Sequence, residues 1–151
     1  MIAQQLSIFA QNQPGRLAAV TQILAAEKIN IRATTISTSD TFGVINLIVD
    51  DPEKARAALT KAGMMVHLRE VLAVLIEDQP GGLSKLTQML AKENININNA
   101  YGFVLEGRKK AVFVVDVDQM DKAEKLVEQK GFKTLDSAAL SAVEPVLYVK
   151  G

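Results

Sequence analysis

The sequence lacks several residues and patterns that particular functions require. It contains no cysteine, which excludes disulfides, thiol nucleophiles and cysteine metal ligands and fits a reducing cytosol. No apolar run reaches the roughly 18 residues that a membrane-spanning helix needs. The first residues alternate in polarity and lack the basic region of a signal peptide. These absences predict a cytoplasmic protein with no membrane partner.

Nucleic-acid binding has little support in the composition. The charges balance at 17 basic and 17 acidic residues, and aromatic residues make up 5% of the chain. A nucleic-acid-binding surface normally combines excess positive charge with aromatic side chains that stack on bases. Tyr101 and Phe103 alternate on one predicted strand, but packing in a core or an interface explains them better. We therefore expect no nucleic-acid partner.

Catalytic motifs are also absent. The single histidine, His67, has no second histidine or cysteine to join it as a metal ligand. Asp116 and Asp118 resemble a carboxylate pair, but their position before a predicted helix favours a capping role. The basic run 108–110 is typical of a solvated hairpin tip. The sequence thus predicts no enzyme activity, no catalytic residue, no metal and no cofactor.

The strongest pattern is an internal repeat. The segments NQPGRL (12–17) and DQPGGL (78–83) are related by a shift of 66 residues, and 12 of the 19 positions from Gln13 to Ile31 are identical to their counterparts. Beyond the next hairpin the shift becomes 68, because two extra residues fall in the loop EGRKK (106–110). A duplication of this length predicts two small, similar domains.

Each repeat has the pattern of a β-α-β-β-α-β unit. A strand with alternating polarity precedes the Pro-Gly turn, and apolar residues then recur at helical spacing. Those residues are Leu17, Val20, Ile23 and Leu24, matched by Leu83, Leu86, Met89 and Leu90. Two β-branched strands follow, and Asp51-Pro52 then predicts the capped start of a second helix. Ala55, Leu59 and Ala62 would form the inner face of this helix, and Gly63 would end it in the left-handed region. This order predicts an α+β, ferredoxin-like fold.

The boundary between the repeats contains no linker. The segment from Met64 to Asp78 has neither glycine nor proline, so the last strand of repeat 1 continues into the first strand of repeat 2. We assign domain 1 to residues 1–69 and domain 2 to residues 70–151, with a C-terminal extension over about 141–151. The segment VLYVKG after Pro145 reads as a short extra strand.

The Pro-Gly turn is the best candidate for a binding site. A helix N-terminus presents unpaired N–H groups and a partial positive charge, which together favour an anion such as a carboxylate. Gly15 and Gly81 allow a ligand to approach the backbone, and Asn12 and Asp78 could cap the helix or bind a ligand's ammonium group. The alternative is a turn that only starts a helix. Asn30 and Asn96, with Asn94, Asn98 and Asn99 nearby, either end a helix or form a polar shelf opposite the turn.

These features resemble the ACT domain, a small ferredoxin-like regulatory module. The resemblance covers nearly the whole chain. It lies in the turn Asp-x-Pro-Gly-x-Leu, which repeat 2 has as DQPGGL and repeat 1 as NQPGRL, and in the Asn-Ile step that opens the second strand of both repeats. It implies a tandem ACT protein without an attached catalytic domain. It also implies repeats packed side by side as a pseudo-dimer with a continuous antiparallel sheet, and a free amino acid bound at the interface between paired domains.

The resemblance also implies which residues bind the ligand. In repeat 1 they are Asn12, Gln13, Pro14, Gly15, Arg16, Leu17, Asn30 and Ile31, and in repeat 2 they are Asp78, Gln79, Pro80, Gly81, Gly82, Leu83, Asn96 and Ile97. Asn12 departs from the common aspartate, so the two sites need not be equal. We expect a regulatory sensor that signals through a protein partner, such as an enzyme, or through homo-oligomerisation. The alternative is a structural or interaction module, or a regulatory subunit, that binds no small molecule.

Overall fold

The structure is a computed structural model and describes residues 1–106 and 109–142. In chain order the elements are β1 (Ala3–Gln11), α1 (Arg16–Ala26), β2 (Ile31–Ser39), β3 (Phe42–Val49), α2 (Pro52–Lys61), β4 (Met65–Glu77), α3 (Gly82–Lys92), β5 (Ile97–Glu106), β6 (Lys110–Val117), α4 (Met120–Gln129), β7 (Lys133–Leu135) and α5 (Ser137–Ala142). No helix in these ranges is long and apolar enough to cross a membrane. The predicted strand after Pro145 and part of the EGRKK loop lie outside the described residues.

The described chain forms two compact units. The first unit is Gln4–Arg69, and the second consists of Met1–Ala3 together with the described residues from Glu70 onward. The strand β4 contributes to both units, because the division falls between Arg69 and Glu70. The expectation that no linker separates the repeats is confirmed, since one 13-residue strand covers most of that segment.

The first unit has the ferredoxin-like strand order β2-β3-β1-β4. β3 pairs antiparallel with both β1 and β2. Alternate residues of these strands point to one face, where they meet the apolar stripes of α1 and α2. Leu6, Leu24, Leu47 and Leu59 are each fully buried in the core formed there. The predicted β-α-β-β-α-β order is therefore confirmed for repeat 1.

The second unit repeats this arrangement with the order β7-β4-β6-β5. β6 pairs antiparallel with β4 and β5, and β7 pairs antiparallel with β4. Leu72, Leu86, Leu90 and Val115 lie fully buried in its core. The last strand of this unit has only three residues, and the short helix α5 that follows was not predicted. The α+β class holds for both units.

The second helix of repeat 1 starts as predicted. The Asp51 Oδ1 accepts a hydrogen bond from the Lys54 N–H at 3.2 Å, Pro52 is the first helical residue and Gly63 has φ of 88°. The predicted inner face was wrong at one position, because Ala62 is exposed at the end of the helix while Ala55 and Leu59 are fully buried.

The corresponding helix of repeat 2 starts differently. Gln119 occupies the cap position of α4, and its side chain makes no cap hydrogen bond. Asp118 Oδ1 instead accepts from the Asn96 N–H at 3.1 Å. The predicted capping role of the Asp116 and Asp118 pair was therefore wrong. Leu83, assigned to the inner face of α3, was also misplaced, since its side chain is 40% exposed.

Candidate functional site

Both Pro-Gly turns adopt the same backbone conformation. Gly15 and Gly81 have φ of 89° and 86°, and each immediately precedes a helix that has no side-chain cap. A Cβ atom added at either glycine would meet no other atom within 4 Å. Glycine is therefore needed at these positions for its left-handed backbone and not for lack of space.

The residues that open the turns do not cap the helices. Asn12 Nδ2 donates to the Asp40 carbonyl oxygen at 3.2 Å, and the Asn12 N–H donates to the Thr41 carbonyl at 2.8 Å. The Asp78 N–H donates in the same way to the Lys109 carbonyl at 3.0 Å. Both residues thus join the turn to the tip of the neighbouring hairpin, and the alternative that they cap the helix is wrong. The first-turn N–H groups of α1 are left without a side-chain acceptor.

The first turn borders a cavity of about 180 Å³. Five of the six predicted turn residues of repeat 1 line it, and Pro14 is the exception. These five are Asn12, Gln13, Gly15, Arg16 and Leu17. Ile36 and Thr38 of β2 and Gly43 and Ile45 of β3 form the opposite wall. The cavity therefore combines the polar start of α1 with apolar side chains from the sheet.

Arg16 is the charged residue of this cavity. It is the first residue of α1, and its side chain is exposed. Its Nη2 lies 3.4 Å from the Gln11 Oε1 and 3.4 Å from the Gln13 Oε1, which are long contacts to neutral acceptors. No carboxylate within the described ranges forms an ion pair with it. The guanidinium group can therefore accept a carboxylate from a ligand.

The asparagines at the start of the second strands lie far from the turns of their own unit. Ile31 pairs with Val49, whereas the end of β1 and the end of β2 both pair with Phe42. At about 3.3 Å per residue, the nine-residue strand β2 places Asn30 roughly 25–30 Å from the turn. Within one unit, Asn30 therefore does not form the predicted polar shelf opposite the turn. Asn96 lies at the same end of the second unit, because Ile97 pairs with Val117.

The two asparagines instead fix the start of their strands. The Asn30 N–H donates to Asp50 Oδ1 at 3.1 Å, just as the Asn96 N–H donates to Asp118 Oδ1. The left-handed residue that ends the preceding helix is Asn94, with φ of 56°, and in repeat 1 it is Lys28, with φ of 59°. The interpretation of helix termination thus fits Asn94 and does not fit Asn30 or Asn96.

The second turn differs from the first in how its helix approaches the sheet. A Cβ atom added at Gly82 would lie 2.0 Å from the Glu77 carbonyl oxygen, so no side chain fits there. Arg16 occupies the equivalent position in repeat 1 without this obstruction. Gln79 Nε2 donates to Glu77 Oε2, while Pro80 and Gly81 are exposed. Gly82 therefore has a packing role that the sequence pattern did not indicate.

The sequence analysis missed a buried polar cluster on the first unit. Gln5, Ser7 and Asn46 are 1%, 3% and 6% exposed. Gln5 Nε2 donates to Ser7 Oγ and to Asn46 Oδ1, and Ser7 Oγ lies 2.9 Å from the same Oδ1. The Asn46 Nδ2 donates to Thr35 Oγ1 at 3.3 Å. The alternating pattern of β1 contained Gln5 and Ser7, but it did not show that this polar face would be buried or that it would meet Asn46 of β3.

The equivalent positions of the second unit are mostly apolar. Val71, Ala73 and Val114 replace the three polar residues and are fully buried. Tyr101 replaces Thr35, and burial, with a smaller effect from the Asp116 charge, raises the pKa of its hydroxyl. The two units thus share a backbone but not the chemistry of this face.

His67 packs against an aromatic ring of the same unit. It is exposed on β4, and its ring packs edge-on against Phe9, with the ring centroids 5.6 Å apart. Throughout residues 1–106 and 109–142, no group of three or more potential ligand side chains is arranged to hold a metal ion.

Comparison with known proteins identifies the relatives of this chain. Residues 1–143 match the family model described as the ACT domain pair. The crystal structure of a Bacteroides thetaiotaomicron protein is 34% identical, with a TM-score of 0.88, over 94% of this chain and 97% of that one. No curated protein sequence matches.

Structures with lower sequence identity share the fold. The ligand-free regulatory subunit of aspartate kinase from Thermus thermophilus is 19% identical, with a TM-score of 0.59, over 87% of this chain and 97% of that one. The corresponding subunit from Thermus flavus is 20% identical, with a TM-score of 0.56, over 85% and 95%. At these identities the likeness is one of fold.

Proposed function

Because the chain belongs to the ACT domain pair family, a family of regulatory modules, we propose that it is a regulatory sensor that binds a free amino acid at the Pro-Gly turn of its first repeat. The observation that supports this most directly is the cavity beside Arg16. There an unpaired guanidinium and an uncapped helix start adjoin the apolar side chains of Leu17, Ile36 and Ile45.

Each part of an amino acid would have a counterpart in this cavity. The carboxylate would lie at the start of α1, where it would accept hydrogen bonds from the Arg16 guanidinium and from the N–H groups of Leu17 and Ala18. Carbonyl and amide oxygens of the turn, including that of Asn12, would accept from the ammonium group. The apolar wall favours a small or aliphatic side chain.

A sensor also needs a way to transmit binding. We propose that a bound ligand stiffens the turn and changes a surface recognised by a partner protein, such as an enzyme, or by another copy of the chain. Exposed apolar side chains on the first unit would supply such a surface, since Phe42 and Met65 are each 64% exposed. A cytoplasmic location is part of the same proposal. A structural module that binds no small molecule is the alternative.

A thermal-denaturation panel of the twenty amino acids at millimolar concentration tests the proposal. A ligand that binds only the folded state at 100 times its Kd stabilises that state by about 2.7 kcal/mol, so at least one amino acid should raise the melting temperature. Arg16→Ala should abolish or reduce the shift. Arg56→Ala is the matched control, because Arg56 is an exposed arginine of the same unit that pairs with Glu53 away from the cavity. If no amino acid shifts the wild-type protein, the structural module becomes the better account.

A further inference from the structure

The second unit contains a larger cavity that the amino-acid proposal does not use. Its volume is about 400 Å³, and it lies between the end of β4, the start of α3 and the turn from α4 into β7. Four lysines from four separate elements line it: Lys85 of α3, Lys110 at the start of β6, Lys130 at the end of α4 and Lys133 at the start of β7.

The positive charge of this cavity is not neutralised by the protein. Within the described ranges, no carboxylate forms an ion pair with any of the four ammonium groups. Glu77 is the acidic residue of the lining, and its carboxylate accepts a hydrogen bond from Gln79. With four lysines and one glutamate, the lining has a formal charge of +3. Like charges brought around one cavity repel each other, and a bound anion would relieve that repulsion.

The lysines are a property of the second repeat alone. The repeat alignment places Ala19, Phe42, Ala62 and Met65 at the four positions in the first repeat. The ladder registers support this alignment, because Lys110 pairs with Glu77 just as Phe42 pairs with Gln11. A solvated helix face would show scattered charges. Instead, four positions that hold apolar residues in repeat 1 all hold lysine in repeat 2, and all four lysines line one cavity.

We propose that this cavity binds a small metabolite bearing a phosphate group. A phosphate monoester has a charge between −1.5 and −2 near neutral pH and three strong acceptor oxygens, so it can contact several ammonium groups at once. An amino acid is disfavoured, because four lysines repel its ammonium group. Leu75, Ile76 and Phe132 form an apolar wall on which the body of such a metabolite would pack. The protein would then respond to two ligands of different chemistry.

Calorimetric titration of the full chain with pyrophosphate at about 0.15 M salt tests this proposal, because that ionic strength screens weak surface attraction. We expect saturable binding that falls roughly tenfold or more in the double variant Lys85→Ala, Lys130→Ala. Both substitutions introduce the alanine that repeat 1 already has at the same positions, so the fold should persist. The matched control is Lys122→Ala, Lys125→Ala, which removes the same charge from α4 beside a different depression and should leave binding unchanged.

Two results would overturn the proposal. Binding that is absent in the wild type, or equally weakened in both double variants, would mean that the lysines form an ordinary solvated surface. Citrate that binds as tightly as pyrophosphate would show a site for polyanions in general and would exclude the phosphate assignment. Neither result bears on the amino-acid site, because the thermal panel with Arg16→Ala reports on the first unit independently.

Discussion

The two repeats of this chain share a backbone and most of the residues of the Pro-Gly turn, but they differ in the charged residues beside it. Their turns have the same left-handed glycine, and their strands have the same register. One residue after that glycine, however, repeat 1 has an arginine that forms no ion pair within the described residues, and repeat 2 has a glycine packed on the Glu77 carbonyl. Residues that fix the backbone have thus been retained in both copies, while the residues around the cavities have diverged.

The largest effect that we predict comes from placing alanine at this position, first in repeat 2 and then in repeat 1. Gly82→Ala would place that atom 2.0 Å from the Glu77 carbonyl oxygen, which only a backbone shift can relieve. We expect the free energy of unfolding to fall by about 2–4 kcal/mol. Arg16→Ala, at the equivalent position, should change it by less than about 0.5 kcal/mol. Urea denaturation of both variants measures the difference, and equal effects would mean that the two helices approach the sheet alike.

The second prediction concerns the buried polar cluster. Asn46→Val alone introduces the residue found in repeat 2 but removes the buried Oδ1 that accepts hydrogen bonds from Gln5 and Ser7, so we expect a loss of about 1–3 kcal/mol. The triple variant Gln5→Val, Ser7→Ala, Asn46→Val introduces the three apolar residues of repeat 2 and should recover most of that loss, because the two buried side chains that donate to Asn46 Oδ1 are removed together with it. Denaturation of the single and triple variants tests this. A triple variant less stable than the single variant would show that residues outside the cluster also depend on these polar side chains.

The third prediction concerns the charges beside the two turns. Repeat 1 presents neutral Asn12 and cationic Arg16, whereas repeat 2 presents anionic Asp78 and Gly82. One charge in a partly shielded site is worth on the order of 1 kcal/mol, which is several-fold in affinity. The first turn should therefore be the tighter carboxylate site, and Arg16→Ala should weaken the best amino-acid ligand several-fold without unfolding the protein. Asp78→Asn should leave that affinity unchanged or add a second, weaker site. Calorimetry that finds two sites of equal affinity, unchanged by either substitution, would contradict the predicted difference between the two turns.

The smallest predicted effect involves the chain terminus. The Met1 ammonium group lies 2.9 Å from Glu124 Oε2 and 2.6 Å from Glu128 Oε1, and repeat 1 has Arg56 and Thr60 at the equivalent positions. The hydrogen bond to Glu124, followed by that to Glu128, raises the pKa of the ammonium group above 8.0. The contact therefore stabilises the fold below that pH and is lost as the pH rises through the raised pKa. Glu124→Gln should be slightly less stable than the wild type near neutral pH, and the gap should close in alkaline solution. A gap independent of pH would contradict this.

The sequence predicted the local structure best at residues that have a single physical role. The alternating strands, the apolar stripes of the helices, the proline after Asp51 and the left-handed glycines each predict local structure, and the structure agrees with them. The duplication then fixed the number of units. Ala62 and Leu83 were misplaced because helical periodicity alone does not show where a packed face ends.

The site was predicted less completely, because it depends on distances that sequence spacing does not contain. The turn residues of repeat 1 do line a cavity, but Asn30 lies at the other end of its sheet. The role of Gly82 depends on the 2.0 Å that would separate an added Cβ atom from the Glu77 carbonyl oxygen, and the residue pattern of the turn does not contain that distance. The lysine cavity gathers residues 85, 110, 130 and 133, which are too far apart in sequence to form a recognisable pattern.

The most direct test of the amino-acid site is a structure of the protein with its best-binding amino acid. We predict that the ligand carboxylate lies against the Arg16 guanidinium and the first-turn N–H groups of α1, with the side chain towards Ile36 and Ile45. A carboxylate found at the Asp78 turn, with the cavity beside Arg16 unoccupied, would contradict the proposal that the first repeat is the sensor.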